Sequence, residues 1–191
     1  SLSSSNGTLT VTAAALSVVA NSASRAYGVT NPMFSGILTG VQNGDNSTAT
    51  YSTPATPASG VGTYPIAPAL NDPGSKLGNY SLSSTEGTLT LTAAALREVA
   101  NNASRAYGAT NPAFNGTITG IQNADNITAT YATTATTSSP VGGYSITPTL
   151  VDPSGTLTNY TVSSTNGTLS VTAVGLTVVA NDASRAYGAT N

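Results

Sequence analysis

The chain has 191 residues, only 6% of them charged, with five Lys or Arg against seven Asp or Glu and a formal net charge of −2. Average soluble domains carry roughly 25% charged residues, and with no basic stripe to meet a phosphate backbone the composition excludes nucleic acid as a partner. The absence of His and Cys also excludes Ser-His-Asp and Cys-His nucleophiles, the common zinc sets, the neutral-pH proton shuttle and any disulfide framework.

From the start, Gly7–Ala14 ("GTLTVTAA") alternates apolar residues with Thr and predicts a strand with Leu9 and Val11 on one face. Apolar positions are odd through Val11 and Ala13 but resume at Leu16, and a change of parity turns side chains to the opposite face. The chain is therefore expected to leave one core and enter the next near Ala14, with equivalents at Ala94 and Val174. A strand then leads to "NSASRAYGVTN" (21–31). The turn "QNGDN" (42–46) precedes strands at "TATYST" (48–53) and "VGTYPIAPAL" (61–70), and "NDPGS" (71–75) supplies another turn. "NYSLSSTEGTLTLT" (79–92) reads as two strands around a Gly-containing turn, a hairpin. No segment holds a 3.6-residue apolar period over three turns, so the expectation is all-β with at most one short helical turn.

Everything then returns. Arg25, Arg105 and Arg185 lie 80 residues apart, as do Tyr27, Tyr107 and Tyr187, and roughly two-thirds of positions match when 1–80 is laid over 81–160 without a gap. An internal period outranks other signals. It divides the chain into 1–14 (closing strand of a preceding repeat), 15–94 and 95–174 (two modules) and 175–191 (opening strand of a following repeat). The modules are expected to be β-sandwich-like, either Ig-like or helix-poor β-grasp-like, and to run nearly continuously, since no Pro/Gly/Ser linker separates them. Together they would form an elongated rod gaining ~35–40 Å per module, with this chain a window of a longer polypeptide. Strand exchange between chain ends is the weaker expectation, because a module so made would lack the counterparts of Phe34, Tyr51 and Tyr64. No apolar run approaches the ~18 residues that span a bilayer, so no membrane contact is expected in this window and any export signal lies outside it.

The repeated aromatics Tyr27, Phe34, Tyr51, Tyr64 and Tyr80, with Tyr107, Phe114, Tyr131, Tyr144 and Tyr160, are the candidate core, tyrosine hydroxyls reaching a rim; stacking on a sugar is the competing reading. Arg25, Arg105 and Arg185 are candidate joint clamps beside Tyr27, Tyr107 and Tyr187, since a planar five-donor group ties loop carbonyls together; contact with a ligand is the competing reading. Glu98 stands where Val18 and Val178 stand. An unpaired buried carboxylate costs on the order of several kcal/mol, because its lost hydration is not replaced, so either Glu98 is exposed or Val19, Val99 and Val179 carry the inward face through a bulge.

Asp45 and Asp72, repeated as Asp125 and Asp152, are the remaining candidates for acid–base chemistry, and their turn sequences favour backbone capping instead. Asp45 and Asp125 are also weak calcium candidates, one carboxylate per loop falling short of the usual ligand set; no other cofactor is indicated. A Lys–Asn cross-link is not part of the repeating design, because the counterpart of Lys76 one period on is Thr156, and Gln42 and Gln122 would be the glutamines of a Thr–Gln ester.

The phrases "NNASRAYGATNPAF", "GIQNADN", "SSPVGGYSI" and "NYTVSSTNGTLSVT" resemble the MBG domain of the YGX type, a repeat of large bacterial surface and adhesin-like proteins. The resemblance implies export, tandem arrays and a stalk or adhesive role at the cell surface or in a secreted filament, and it brings no catalytic residues. The function expected is a non-enzymatic extracellular shaft whose partners are neighbouring repeats. The alternative is a module that holds a glycan or a host protein.

Overall fold

A computed structural model describes residues 2–190. Its strands are β1 (Ala14–Ala20), β2 (Ala23–Ala26), β3 (Gly36–Thr39), β4 (Thr48–Ser52), β5 (Gly62–Asn71), β6 (Tyr80–Thr85) and β7 (Gly87–Thr92). The same set returns as β8 (Ala94–Ala100), β9 (Ala103–Ala106), β10 (Gly116–Thr119), β11 (Thr128–Ala132), β12 (Gly142–Val151), β13 (Tyr160–Thr165) and β14 (Gly167–Thr172). Each set builds two sheets, a three-stranded one ordered β3-β1-β6 and a four-stranded one ordered β2-β7-β5-β4, repeated as β10-β8-β13 and β9-β14-β12-β11. One of the two sheets in each repeat is a curled half-barrel. One 3₁₀ turn per repeat, Leu77–Asn79 and Thr156–Asn159, leads into β6 and β13.

Both sheets are mixed. β1 runs antiparallel to β3 and parallel to β6, and β7 runs parallel to β2 and antiparallel to β5. The period-two pattern explains the inner faces: Gly87, Leu89 and Leu91 of β7 point inward while its threonines point out. Leu16, Val18 and Ala20 do the same from β1. Ile66, Leu89 and Leu91 with Ala20 and Ala55 form one apolar cluster; Ile146 and Leu169 with Ala100 and Ala135 form its counterpart. Phe34, Tyr51 and Tyr64, and likewise Phe114, Tyr131 and Tyr144, are only partly buried and pack around these aliphatic centres. The tyrosine ends stay polar, the Tyr64 hydroxyl donating to the Gly60 carbonyl at 2.9 Å and that of Tyr144 to Pro140 at 2.8 Å.

Two expectations need correction, the hairpin at 79–92 and the placing of Glu98. Residues 79–92 are not a hairpin, because β6 and β7 belong to different sheets and only Glu86 separates them. Gly87 marks the change of sheet: a Cβ there would lie 2.5 Å from the Asn21 carbonyl oxygen. Residues 7–12 match β7 in pattern but form no strand, and Leu9 and Val11 are exposed. A central strand needs a neighbour on each side to satisfy its backbone, as β7 has in β2 and β5. Residues 175–190 likewise form no strand, with Leu176 and Val178 exposed; Asn191 lies outside the described residues. Finally, Glu98 is neither exposed nor avoided by a bulge. The inward set of β8 is Ala94, Leu96, Glu98 and Ala100, unbroken in phase, and Glu98 is 1% exposed, as is Val18 in β1.

By packing, the chain divides into two compact units that cut across the sequence repeat. Within the described residues, one comprises 2–97, Ile118–Thr128 and Val151–Ser163; the other comprises Glu98–Thr117, Ala129–Leu150 and 164–190. The first unit therefore contains a loop and a strand start from the second repeat, and these build the site described next.

Candidate functional site

β2 ends in the phrase "SRAYG", which places Arg25 inward and delivers Tyr27 to the surface of its own repeat. The Arg25 guanidinium donates to Asn31 Oδ1 (2.6 Å), the Thr56 carbonyl (2.6 Å) and the Ala26 carbonyl (3.2 Å). Asn31 Nδ2 in turn donates to the Ala55 carbonyl at 2.7 Å. Arg105 repeats this pattern in the other compact unit, with Asn111, Thr136 and Ala106. Both arginines are buried, and every one of these bonds ties loops of the arginine's own repeat. Arg185 is exposed, and one of its nitrogens donates to the Ala189 carbonyl. The residue that reaches outward is the tyrosine two places on.

Tyr27 is held by main-chain bonds, its N–H donating to the Thr92 carbonyl at 2.8 Å and that of Gly28 to Pro57 at 3.2 Å. Its hydroxyl donates to the Asp125 carboxylate, 3.1 Å from Oδ2 and 3.3 Å from Oδ1. Tyr160 donates to Asp125 Oδ2 at 2.6 Å, and the two rings meet edge to face with centroids 5.5 Å apart. The Tyr160 oxygen also accepts from the Gln122 N–H at 2.9 Å. Around this centre, Asn123 Nδ2 donates to the Pro57 carbonyl (3.2 Å), and the Val61 N–H donates to Asn159 Oδ1 (2.9 Å). All these residues lie within the first compact unit. Burial, then the bond to Asp125, pushes the Tyr160 hydroxyl up to about 12, so it stays a donor at any ordinary pH.

Gly28 is required twice over. Its φ of +80° lies in the left-handed region, and a Cβ on it would fall 2.5 Å from Gln122 Cβ.

The counterparts elsewhere differ in their surroundings. Tyr80 donates to Asp45 Oδ2 at 2.7 Å, a bond that, ahead of burial, raises the Tyr80 hydroxyl. Tyr107 and Tyr187 are exposed. Asp72 and Asp152 cap their turns: Oδ2 of each accepts the N–H of Leu77 (2.8 Å) or Leu157 (2.7 Å), which holds both carboxyls below the usual range. Asp45 and Asp125, singled out for calcium, are thus held by tyrosine hydroxyls. Among the described residues no group of three or more His, Cys, Asp or Glu could hold a metal ion.

Sequence reasoning missed Asn159 and Pro57, offered Gln122 only as the glutamine of an ester link and the Asn123–Asp125 loop only as a turn or weak calcium site, and assigned Tyr160 to the core. The available signal was the period itself, since Gln42, Asn43, Asp45, Asn79 and Tyr80 recur 80 residues later.

A family model described as MBG domain (YGX type) matches residues 16–90 and again 97–170, most of the chain. No curated protein matches it.

Proposed function

The chain belongs to the family of MBG domains of the YGX type, two copies in tandem, a domain typical of repetitive bacterial surface proteins; from that premise we propose that it is a structural segment of an extracellular shaft. In this reading it carries load and spacing rather than catalysis, at the cell surface or in a secreted filament. The observation that carries it is the Tyr27–Asp125–Tyr160 cluster, which packs residues of both repeats into one compact unit. A flexible tether between repeats would need no such cluster, whereas a shaft needs each join to resist bending.

Small-angle scattering of the whole chain tests this. Asp125→Ala should broaden the distance distribution while circular dichroism keeps its strand signal. An identical profile would sink the shaft reading. A second reading, binding of a glycan or host protein, draws on the exposed Tyr107 ring, since exposed aromatics suit sugar faces. Saturable binding on a glycan array, lost with Tyr107→Ala, would favour it.

A further inference from the structure

Among the described residues, each half of the Tyr27 cluster exists a second time without its complement. The receiving half is Asp125, Tyr160 and Gln122, and its counterpart is Asp45, Tyr80 and Gln42. The internal bonds agree closely: tyrosine hydroxyl to carboxylate is 2.6 Å in the one and 2.7 Å in the other, and Gln N–H to tyrosine oxygen is 2.9 Å in both. The second receiver is therefore formed in advance of any occupant. In place of a tyrosine it presents a cavity of about 390 Å³, lined by Gln42, Asn43, Asp45, Asn79 and Tyr80 together with residues 11–14.

The inserting half is likewise duplicated. The Tyr107 N–H donates to the Thr172 carbonyl at 2.8 Å and the Gly108 N–H to Thr137 at 3.2 Å, the same lengths as at Tyr27 and Gly28. Arg105 holds the loop behind it as Arg25 does. The backbone of Gly108 has the same sign and nearly the same size of φ, +85° against +80°. What differs is coverage: Tyr27 is 3% exposed and Tyr107 is 46% exposed, and a Cβ on Gly108 would meet nothing within 4 Å.

We propose that the Asp45–Tyr80 cavity is a socket for the Tyr–Gly loop of another copy of this repeat, and that Tyr107–Gly108 is the plug that enters such a socket. The bonds at the filled site define the fit. An incoming tyrosine hydroxyl donates to Asp45, Asn43 Nδ2 donates to a main-chain carbonyl in the position of Pro57, and Asn79 Oδ1 accepts an N–H in the position of Val61. Two of these three involve the incoming main chain, so Thr137 in place of Pro57 and Val141 in place of Val61 keep the complement intact. Preorganisation on both sides lowers the ordering cost of association. This inference rests on the shaft reading, yet it can fail alone: scattering can report a stiff chain while the socket proves unused.

The test extends the full chain by appending a copy of residues 112–174 after Asn191, so that residues 175–191 become the start of a third repeat. Nitration of tyrosines, located by peptide mass, is the readout. In the 191-residue chain Tyr107 should react readily and Tyr27 slowly. In the extended chain Tyr107 should slow to the rate of Tyr27 and recover when the copied Asp125 is changed to Ala. A third repeat that adds strand signal while Tyr107 stays reactive overturns the proposal.

Because the added repeat can fail to fold, a second measurement uses two full chains, Asn43→Cys and Thr137→Cys, in a protein with no cysteine of its own. Mixed under oxidising conditions they should form the disulfide-linked dimer faster than a control pair with Cys at Ser3. Tyr107→Ala in the Thr137→Cys chain, or Asp45→Ala in the other, should remove the advantage. Linking no faster than the control, or unaffected by either alanine, overturns it.

Discussion

Replacing Glu98 with Val should make the protein more stable, and the two repeats provide the means of working out by how much. Glu98 Oε2 accepts one hydrogen bond, from Ser164 Oγ at 3.1 Å, and Oε1 has no partner. A buried acceptor left unmade costs about 1–3 kcal/mol, more when charged. Val18 occupies the same place in β1, pairing in register with Ser84, the counterpart of Ser164, so a valine at this position already packs well in one repeat. The cavity penalty on shortening the side chain is therefore small, and the expected net gain is about 1–2 kcal/mol. For a chain of this size 1 kcal/mol moves Tm by roughly 2–4 °C, so calorimetry should show a rise of roughly 2–8 °C in the transition that contains β8. Glu98→Gln, which keeps a polar end in the same place, should gain less. The reciprocal Val18→Glu should lose several kcal/mol, on the order of an uncompensated buried charge. A lower Tm for Glu98→Val would refute the reasoning, since it would mean that the carboxylate is stabilised by partners other than Ser164.

Arg105→Lys keeps the charge but loses the fork that spans Asn111 and the Thr136 carbonyl, and should cost about 2–4 kcal/mol in chemical denaturation. Gly108→Ala should cost only the left-handed backbone term of about 1–2 kcal/mol, whereas Gly28→Ala should cost more, because its Cβ displaces Gln122; equal losses would argue against the packing at Tyr27. Asp72 and Asp152 have depressed carboxyls, so their contribution is present above the unfolded value of about 3.9 and is lost as pH falls through the folded one; acid loss of stability should be confined below about pH 4 and reduced in Asp152→Asn. Tyr160 is raised, so its contribution is full below the unfolded value of about 10 and disappears as pH climbs toward about 12. Melting curves with phenolate absorbance should show this alkaline loss, and Tyr160→Phe should reduce it, leaving the part due to Tyr80.

How much of this was readable depends on the range of each interaction. β4, β5 and the inward leucines of β7 follow from alternation within six to ten residues, which a single sequence displays. The sheet change at Gly87 does not, because a glycine between two alternating runs looks the same whether it turns a hairpin or lets the Asn21 carbonyl approach. The partner of Tyr27 was hidden for a different reason. Its acceptor is 98 residues away, while an identical aspartate, Asp45, lies in its own repeat. Composition and spacing treat the two alike. Only packing distinguishes them, and it selects the more distant one.

That choice follows from the polarity of the repeat. The Tyr–Gly loop presents a hydroxyl donor, and the opposite partner presents a carboxylate already anchored to a second tyrosine, so the two surfaces complement each other and neither complements itself. A contact between unlike surfaces is heterologous, and when its rotation does not close a ring it generates an open array. If Tyr27 reached Asp45 in its own repeat, donor and acceptor would be satisfied internally and nothing would be left to specify a neighbour. Using the copy one period on leaves the Tyr107 hydroxyl and the Asp45–Tyr80 pair unmatched among the described residues, which is what the proposed socket would join. Low charge suits this design, because long-range attraction adds encounters without register, whereas a hydroxyl seated on one carboxylate between two rings fixes both position and direction.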